Sequence, residues 1–266
     1  MTKTIAWIAG ALLAAGALIW GAQWWQARTT QDVAPPPLAQ ASAPEPPAAA
    51  AAAPRIEYPI EPAQDAPQVA LDASDAPLSD ALANLFKGNR LPEFVQPMNL
   101  IRHIVASIDN LPREKTSPRL LPVRPTAGAF STINAGESVV IAPDNSARYA
   151  PVIAALQAVD TRQLVAVYVR FYPLFQQAYR ELGYPDGYFN DRLVAVIDHL
   201  LATPTVKAPI AVVQPKVLYR YADPELEALS SGQKAMIRVG PDNAAVLKAK
   251  LREVRNGITG TQVTGR

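Results

Sequence analysis

The amino-acid sequence predicts an α+β protein that is mainly α-helical: a single globular domain with a small β-hairpin, preceded by one transmembrane helix and a disordered Pro/Ala-rich linker. Three observations lead to this prediction. An uncharged apolar run comes first, a stretch rich in proline and alanine follows it, and apolar residues then recur at helical spacing. The globular domain, predicted over residues 78–256, is long enough to bury a core of its own.

The apolar run covers residues 5–25, contains no charged residue and is flanked by Lys3 and Arg28. A helix of about 20 such residues crosses the hydrocarbon core of a bilayer. A cleaved signal peptide is the alternative, but its apolar core is about 7–15 residues long and precedes a small-residue cleavage site. This run is longer and ends in two tryptophans, which suit a membrane–water interface. It therefore favours a retained single-pass anchor after a short cytoplasmic tail at residues 1–4.

The orientation of this anchor depends on few charges. Lys3 and the terminal amine precede it, whereas Arg28 follows it with Asp32 close by. The positive-inside rule then predicts a cytoplasmic amino end and an exported C-terminal domain. Small residues recur four apart within the run, as at Ala17 and Gly21, and this spacing allows a homodimer through the transmembrane helix.

Residues 26–77 form the predicted linker, because repeated prolines remove backbone donors and fix φ, and little apolar surface lies between them. The linker holds two arginines and seven carboxylates, whereas the chain from Leu78 onward holds 22 Lys and Arg against 16 Asp and Glu. The domain is therefore moderately positive, but it lacks the dense basic stripe of a nucleic-acid-binding protein. No nucleic acid is expected as a partner. The absence of cysteine excludes disulfides, thiolate catalysis and cysteine-ligated metals.

The first elements of the domain are predicted from periodicity and turn signals. Residues 78–87 and 98–109 have helical spacing, and the second segment places Ile101, Ile104 and Ile108 on one face. A loop rich in proline and basic residues follows. The segments 130–133 and 138–141, separated by Asn-Ala-Gly, predict the small hairpin.

The longest predicted helix begins after Asp160, which has capping-box spacing to Gln163. One broad aromatic and apolar stripe keeps its phase across Pro173, so a single kinked helix that ends at Gly183 is predicted. Core packing of the stripe is favoured over exposed rings that stack on a ligand. The aromatic members of the stripe are Tyr168, Phe171, Tyr172, Phe175 and Tyr179.

The elements after Gly183 are predicted from helix-capping residues and from prolines. Asn190 is predicted to cap a helix, and residues 210–221 to form an edge strand that Pro215 interrupts. Asp223 with Pro224 predicts a helix start, and two final helices flank Gly240-Pro241. Residues 257–266 are predicted to be a flexible tail.

Three separated segments resemble a known protein family. They read IDNLPREKTSPRLLPVRP, ELGYPDGYFNDRLVAVIDHLLATP and PKVLYRYADPELEALSSGQKAMIRVGPDNAAVLKAKLREVR, and they span about residues 75–256. In this order they resemble the bacterial family called domain of unknown function 3014. The resemblance implies a membrane-anchored envelope protein with a spacer. Together with the orientation predicted from the flanking charges, the expected location is the bacterial inner membrane, with the C-terminal domain periplasmic. The resemblance implies no reaction and no catalytic residues.

An enzymatic function rests on one polar helix face. Asp191 and Asp198 are about 20° apart on a helical wheel, and His199 lies on the adjoining row. These groups suit acid–base chemistry, so a hydrolase or transferase in the envelope is an alternative function. A solvated or salt-bridged polar face is favoured, because no HExxH motif or activated nucleophile accompanies them. No catalytic residue, metal or cofactor is therefore expected.

Candidate partner-binding residues lie in two loops. Arg113, Lys115 and Arg119 belong to a basic segment that suits anionic lipid or an acidic wall polymer, although an ordinary solvated loop has the same composition. Tyr184 and Tyr188 flank an aromatic turn that suits recognition. Together with the anchor they favour a tethered binding or scaffold module that contacts an envelope protein or the cell wall. An accessory subunit of a membrane complex is the third hypothesis.

Overall fold

The computed structural model describes residues 55–86, 98–117, 121–123, 126 and 128–260. The predicted transmembrane helix and most of the predicted linker lie outside these residues. Within them, no single helix has both the length and the apolar character to cross a bilayer. The helical segments 143–157 and 161–181 meet these criteria only as a pair, across a bend of 78°.

Helices dominate the described part of the chain, and the predicted α+β class is confirmed. Four short strands form one antiparallel sheet in the order β1-β2-β3-β4. The elements are α1 (Asp75–Leu85), α2 (Leu100–Asn110), β1 (Thr132–Ala135), β2 (Ser138–Ile141), α3 (Ala150–Gln157), α4 (Thr161–Glu181), α5 (Phe189–Leu201), β3 (Ala211–Val213), β4 (Arg220–Tyr221), α6 (Pro224–Glu227), α7 (Ser231–Arg238) and α8 (Pro241–Thr259).

Helix α4 begins as predicted at the Asp160 cap. The Asp160 carboxylate accepts hydrogen bonds from the backbone N–H groups of Arg162 at 2.7 Å and Gln163 at 3.2 Å, which satisfies donors that a helix start leaves unpaired. The helix continues through Pro173 as one element. Its aromatic stripe is largely buried, so the prediction of core packing is confirmed, most clearly by Phe171 with no exposed surface.

Helix α8 completes the helical core, because it packs against α3, α4 and α5, while α4 also packs against α1 and α2. The apolar face predicted for α8 is buried, with Leu247, Leu251 and Val254 each at most 3% exposed. Burial of each such side chain stabilises the fold by about 1.5–3 kcal/mol. The core therefore holds α5 and α8 side by side.

The sheet is larger than the predicted hairpin. The β1–β2 hairpin is present, with its turn at Gly136, whose φ of +63° suits glycine. The predicted edge strand over 210–221 forms two strands instead, since Pro215 lies in their connection and proline cannot donate to a ladder. Of these, β3 is interior and only β4 lies at an edge. A small second core packs between this sheet and α7, and it consists of Val212, Tyr221 and Ile237.

The predicted linker ends too late in the chain, since residues 55–74, here called the strap, lie against the domain. Ile60 and Leu71 of the strap are buried, at 6% and 5% exposure. Helix α1 then begins at Asp75, within the segment predicted to be disordered. The prediction of disorder is wrong for residues 55–77 because side chains of the domain bind the strap backbone and its apolar residues enter the core.

Candidate functional site

A buried carboxylate brings together two of the predicted partner-binding residues. Asp109, at the end of α2, is 1% exposed. One of its oxygens accepts hydrogen bonds from Arg113 Nη2 at 2.7 Å and from the Tyr184 hydroxyl at 3.1 Å. The other accepts from Arg192 Nε at 2.9 Å. Two guanidinium groups therefore neutralise a charge that would otherwise be costly to bury.

The charged partners of Asp109 reach it from the surface, since the side chains of Arg113 and Arg192 are 55% and 30% exposed. The hydrogen bond that Arg113 donates to Asp109 raises the pKa of the Arg113 guanidinium above its ordinary value. The Tyr184 ring stacks on Tyr179 with 4.6 Å between centroids. The aromatic turn predicted for recognition thus uses Tyr184 to hold the loop against α2 and α4.

The other predicted partner-binding residues lie elsewhere. Lys115 is exposed in the loop after α2, and Arg119 lies outside the described residues. Tyr188 faces the strap, and its hydroxyl oxygen accepts a hydrogen bond from the Ile60 backbone N–H at 2.6 Å. Of the four predicted residues that the structure describes, only Arg113 and Tyr184 share Asp109 as a partner.

Tyr188 belongs to a group of three side chains that hold the strap, here called the clamp: Tyr188, Asn190 and Asp191. Asp191 accepts hydrogen bonds from the backbone N–H groups of Glu57 at 3.0 Å and Tyr58 at 2.8 Å. The amide of Asn190 donates to the Tyr58 carbonyl at 2.8 Å. Because the clamp contacts backbone groups, it fixes the path of the strap with little dependence on the strap sequence.

Asn190 is not the predicted helix cap. Helix α5 begins one residue earlier, at Phe189, and Tyr188 occupies the cap position. The Asn190 side chain has no exposed surface and donates a second hydrogen bond to the Ile258 carbonyl near the end of α8, at 3.2 Å. Its long-range partners compete successfully with the local capping role.

The three groups of the enzymatic alternative have separate partners. Asp191 belongs to the clamp, whereas Asp198 accepts two hydrogen bonds from Arg255 at 2.6 and 3.0 Å. His199 Nε2 lies 2.8 Å from the Ser230 hydroxyl. Burial, assisted by the charge of Arg192, lowers the pKa of His199. Among the described residues, no group of three or more His, Asp and Glu side chains is placed to hold a metal ion.

A surface cleft of about 330 Å³, here called the distal cleft, lies between the segment that follows α5, the end of α7 and the part of α8 that extends to Arg252. None of the three groups of the enzymatic alternative lines it. Sequence reasoning missed it because three separate parts of the chain form it. Its lining includes Thr203, Val206, Met236, Ala244, Lys248 and Arg252.

The clamp and the distal cleft lie at opposite ends of the α5–α8 pair. The two helices are antiparallel, because Asn190 at the start of α5 contacts Ile258 near the end of α8. Beyond the other end of α5, Lys248 Nζ donates to the Thr203 carbonyl at 2.6 Å. The 13 residues of α5 separate the two sites, which corresponds to about 20 Å of helix.

The comparison with protein families agrees with the resemblance read from the sequence. The model of the family described as "Protein of unknown function (DUF3014)" matches residues 100–255. No curated protein and no solved structure matches the chain. The matched range contains the clamp and the distal cleft, whereas the strap precedes it. The chain thus belongs to the DUF3014 family of proteins of unknown function.

Proposed function

We propose that this chain is a membrane-tethered binding module of the bacterial cell envelope. Residues 5–25 anchor it in the inner membrane by a single pass, residues 26–54 lead away from the bilayer, and the domain binds an envelope protein or the cell wall in the periplasm. The observation that carries this proposal is the placement of the distal cleft at the end of the α5–α8 pair that is remote from the clamp.

The clamp gives the tether a defined point of attachment. A flexible linker alone leaves a domain free to present any face to the membrane. The strap instead meets the domain through hydrogen bonds to Asp191, Asn190 and Tyr188. The tether therefore arrives at one end of α5, and the distal cleft at the other end stays open to a partner.

The internal roles of two predicted contact residues also support this choice of site. Arg113 and Tyr184 both bind the buried carboxylate of Asp109. A partner that drew both away would leave Arg192 as the remaining ionic partner of Asp109, and weaker pairing of a buried charge is unfavourable. A partner bound in the distal cleft leaves the partners of Asp109 in place.

Deletion of residues 5–25 tests the tether. We expect the full-length chain to stay with the inner membrane through a high-salt and alkaline wash, because an inserted helix is not removed by breaking ionic contacts. The deleted chain should appear in the soluble fraction. The intact mass of the full-length protein distinguishes a retained anchor from a cleaved signal. A full-length chain of uncleaved mass in the soluble fraction would contradict the proposal.

A further inference from the structure

We infer that the distal cleft binds a small anion with an apolar body, whose charged end is a carboxylate or a phosphate monoester. The inference gives a ligand class to the site assigned under the proposed function and rests on that function for the role of the cleft. It follows from the shape of the cleft, the composition of its floor and the distribution of charge along α8.

The shape suits a small ligand. A volume of about 330 Å³ lies at the small end of the range of about 300–1,000 Å³ that is typical of ligand sites. The floor contains Met236 and Ile237, which are 0% and 7% exposed. Met236 packs into the helical core and Ile237 into the second core. The cleft therefore opens where the two cores meet, and its apolar floor suits an apolar body.

The charged side chains of the cleft are all positive. Lys248 and Arg252 line it, and no Asp or Glu is among the lining residues. They are four residues apart on α8, so their like charges lie on one helix face and repel each other. An anion between them would remove this repulsion and accept charge-assisted hydrogen bonds from both.

Among the described residues, the basic side chains of α8 outside the cleft are paired with carboxylates, whereas those that line the cleft are not. Lys250 pairs with Glu253 at 2.9 Å, and Arg255 pairs with Asp198 at 2.6 Å. Arg252 is exposed and makes no side-chain hydrogen bond or ion pair within the described part of the chain. Helix α8 thus neutralises its cations outside the cleft and leaves those inside it without a carboxylate.

Lys248 is held in place while it keeps donors for a ligand. Its Nζ donates to the Thr203 carbonyl at 2.6 Å, just beyond the C-terminal end of α5. An ammonium group has three N–H donors, so two remain. Lys248 is fixed by a neutral carbonyl near the negative end of a helix dipole, and Arg252 supplies the second positive group at the mouth.

Calorimetric titration of the full-length chain in nanodiscs of zwitterionic lipid tests the inference. The probes are hexanoate, hexyl phosphate and the uncharged hexanol. We expect hexanoate or hexyl phosphate to bind, and hexanol to bind at least about tenfold more weakly because it lacks the charged contacts. The preferred anion distinguishes a carboxylate ligand from a phosphate ligand.

Two variants localise the binding. Arg252→Gln should raise the Kd of the bound anion at least about tenfold, whereas Arg180→Gln, a matched loss of charge at an exposed position of α4 outside the cleft, should leave it unchanged. Ala245→Phe fills the cleft at an exposed helix position without a change of charge, and it should abolish binding. Circular dichroism checks that each variant is folded.

Three results would overturn the inference: no binding of either anion, equal binding of hexanol, or an unchanged Kd in Arg252→Gln. If the chain still fractionates with the membrane, each of these results leaves the proposed membrane tether standing. Conversely, a chain that binds the anion but is soluble would overturn the tether alone. The two proposals therefore fail in distinguishable ways.

Discussion

Asp109 and Asp198 show how burial changes the contribution of an Asp–Arg ion pair to stability. Asp109 is 2% exposed in its side chain and faces two arginines, whereas Asp198 is 48% exposed and faces Arg255 alone. Solvent screens the exposed pair, so its contribution to stability is small. Removal of the buried charge leaves two guanidinium groups without their counterion.

We expect Asp109→Asn to lower the free energy of unfolding by about 2–3 kcal/mol. The matched change Asp198→Asn should lower it by at most about 1 kcal/mol. Urea denaturation at neutral pH measures both, and equal m-values would show that the two variants unfold by the same transition. Equal losses of stability in the two variants would contradict the assignment of Asp109 as a buried structural ion pair.

His199 makes stability depend on pH in a defined direction. Burial, with the charge of Arg192 as a second cause, lowers its pKa in the fold below the ordinary value of 6.5. Between the lowered value and 6.5 the unfolded chain binds more protons than the folded one, so stability falls as the pH falls through this window. Above this pH window, His199 is neutral in both the folded and the unfolded state, so it does not make stability depend on pH.

Replacement of His199 by Gln should therefore flatten the dependence of Tm on pH between about 7 and about 5. Glutamine keeps an amide that can bond to the Ser230 hydroxyl, which lies 2.8 Å from His199 Nε2. Calorimetric scans of both proteins in the same buffers measure the two slopes. Parallel slopes would show that His199 does not titrate on unfolding in this range.

At the scale of elements, the clamp holds the strap through the strap backbone. The backbone N–H groups of Glu57 and Tyr58 both donate to Asp191. Hydrogen bonds to a charged acceptor stabilise by about 1.5–3 kcal/mol each. Loss of Asp191 should therefore release the strap while the helices behind it stay folded.

Hydrogen exchange measures this release. In Asp191→Ala we expect the amides of Glu57 and Tyr58 to lose at least about tenfold in protection, with little change in the amides of α8. Asp186→Ala is the control, because it removes an exposed carboxylate from the loop before α5. Unchanged protection at Tyr58 in Asp191→Ala would show that burial of Ile60 and Leu71 holds the strap without the clamp.

Local patterns were sufficient for most helices and for the hairpin, since periodicity, the Asp160 cap and a glycine turn act over a few residues. They failed for the strap. Its prolines indicate disorder, yet Tyr58 and Asp191 are 133 residues apart in the chain and meet only in the folded domain. The cap predicted at Asn190 is wrong for the same reason, because the carbonyl partners of Asn190 come from the strap and from α8. The apolar residues Tyr58 and Ile60 among the prolines were the available signal.

At the scale of the whole molecule, the layout suggests one direction from membrane to partner. The predicted anchor and linker lead to the strap, the first residues of the strap lie at one end of the α5–α8 pair, and the distal cleft lies at the other. Sequence patterns indicated the anchor but not the cleft, because Thr203, Met236 and Lys248 come from three separate segments. Only the packing of α7 and α8 beside α5 brings them together.

The most direct test of the central proposal is the side of the membrane on which the domain lies. A reporter enzyme that is active only after export, fused after Arg266, measures it in growing cells. We predict activity for the full-length fusion and none for a fusion that lacks residues 5–25, because in the proposed function the apolar run serves as both the anchor and the export signal. An inactive full-length fusion, together with activity of a reporter that works only in the cytoplasm, would contradict the account.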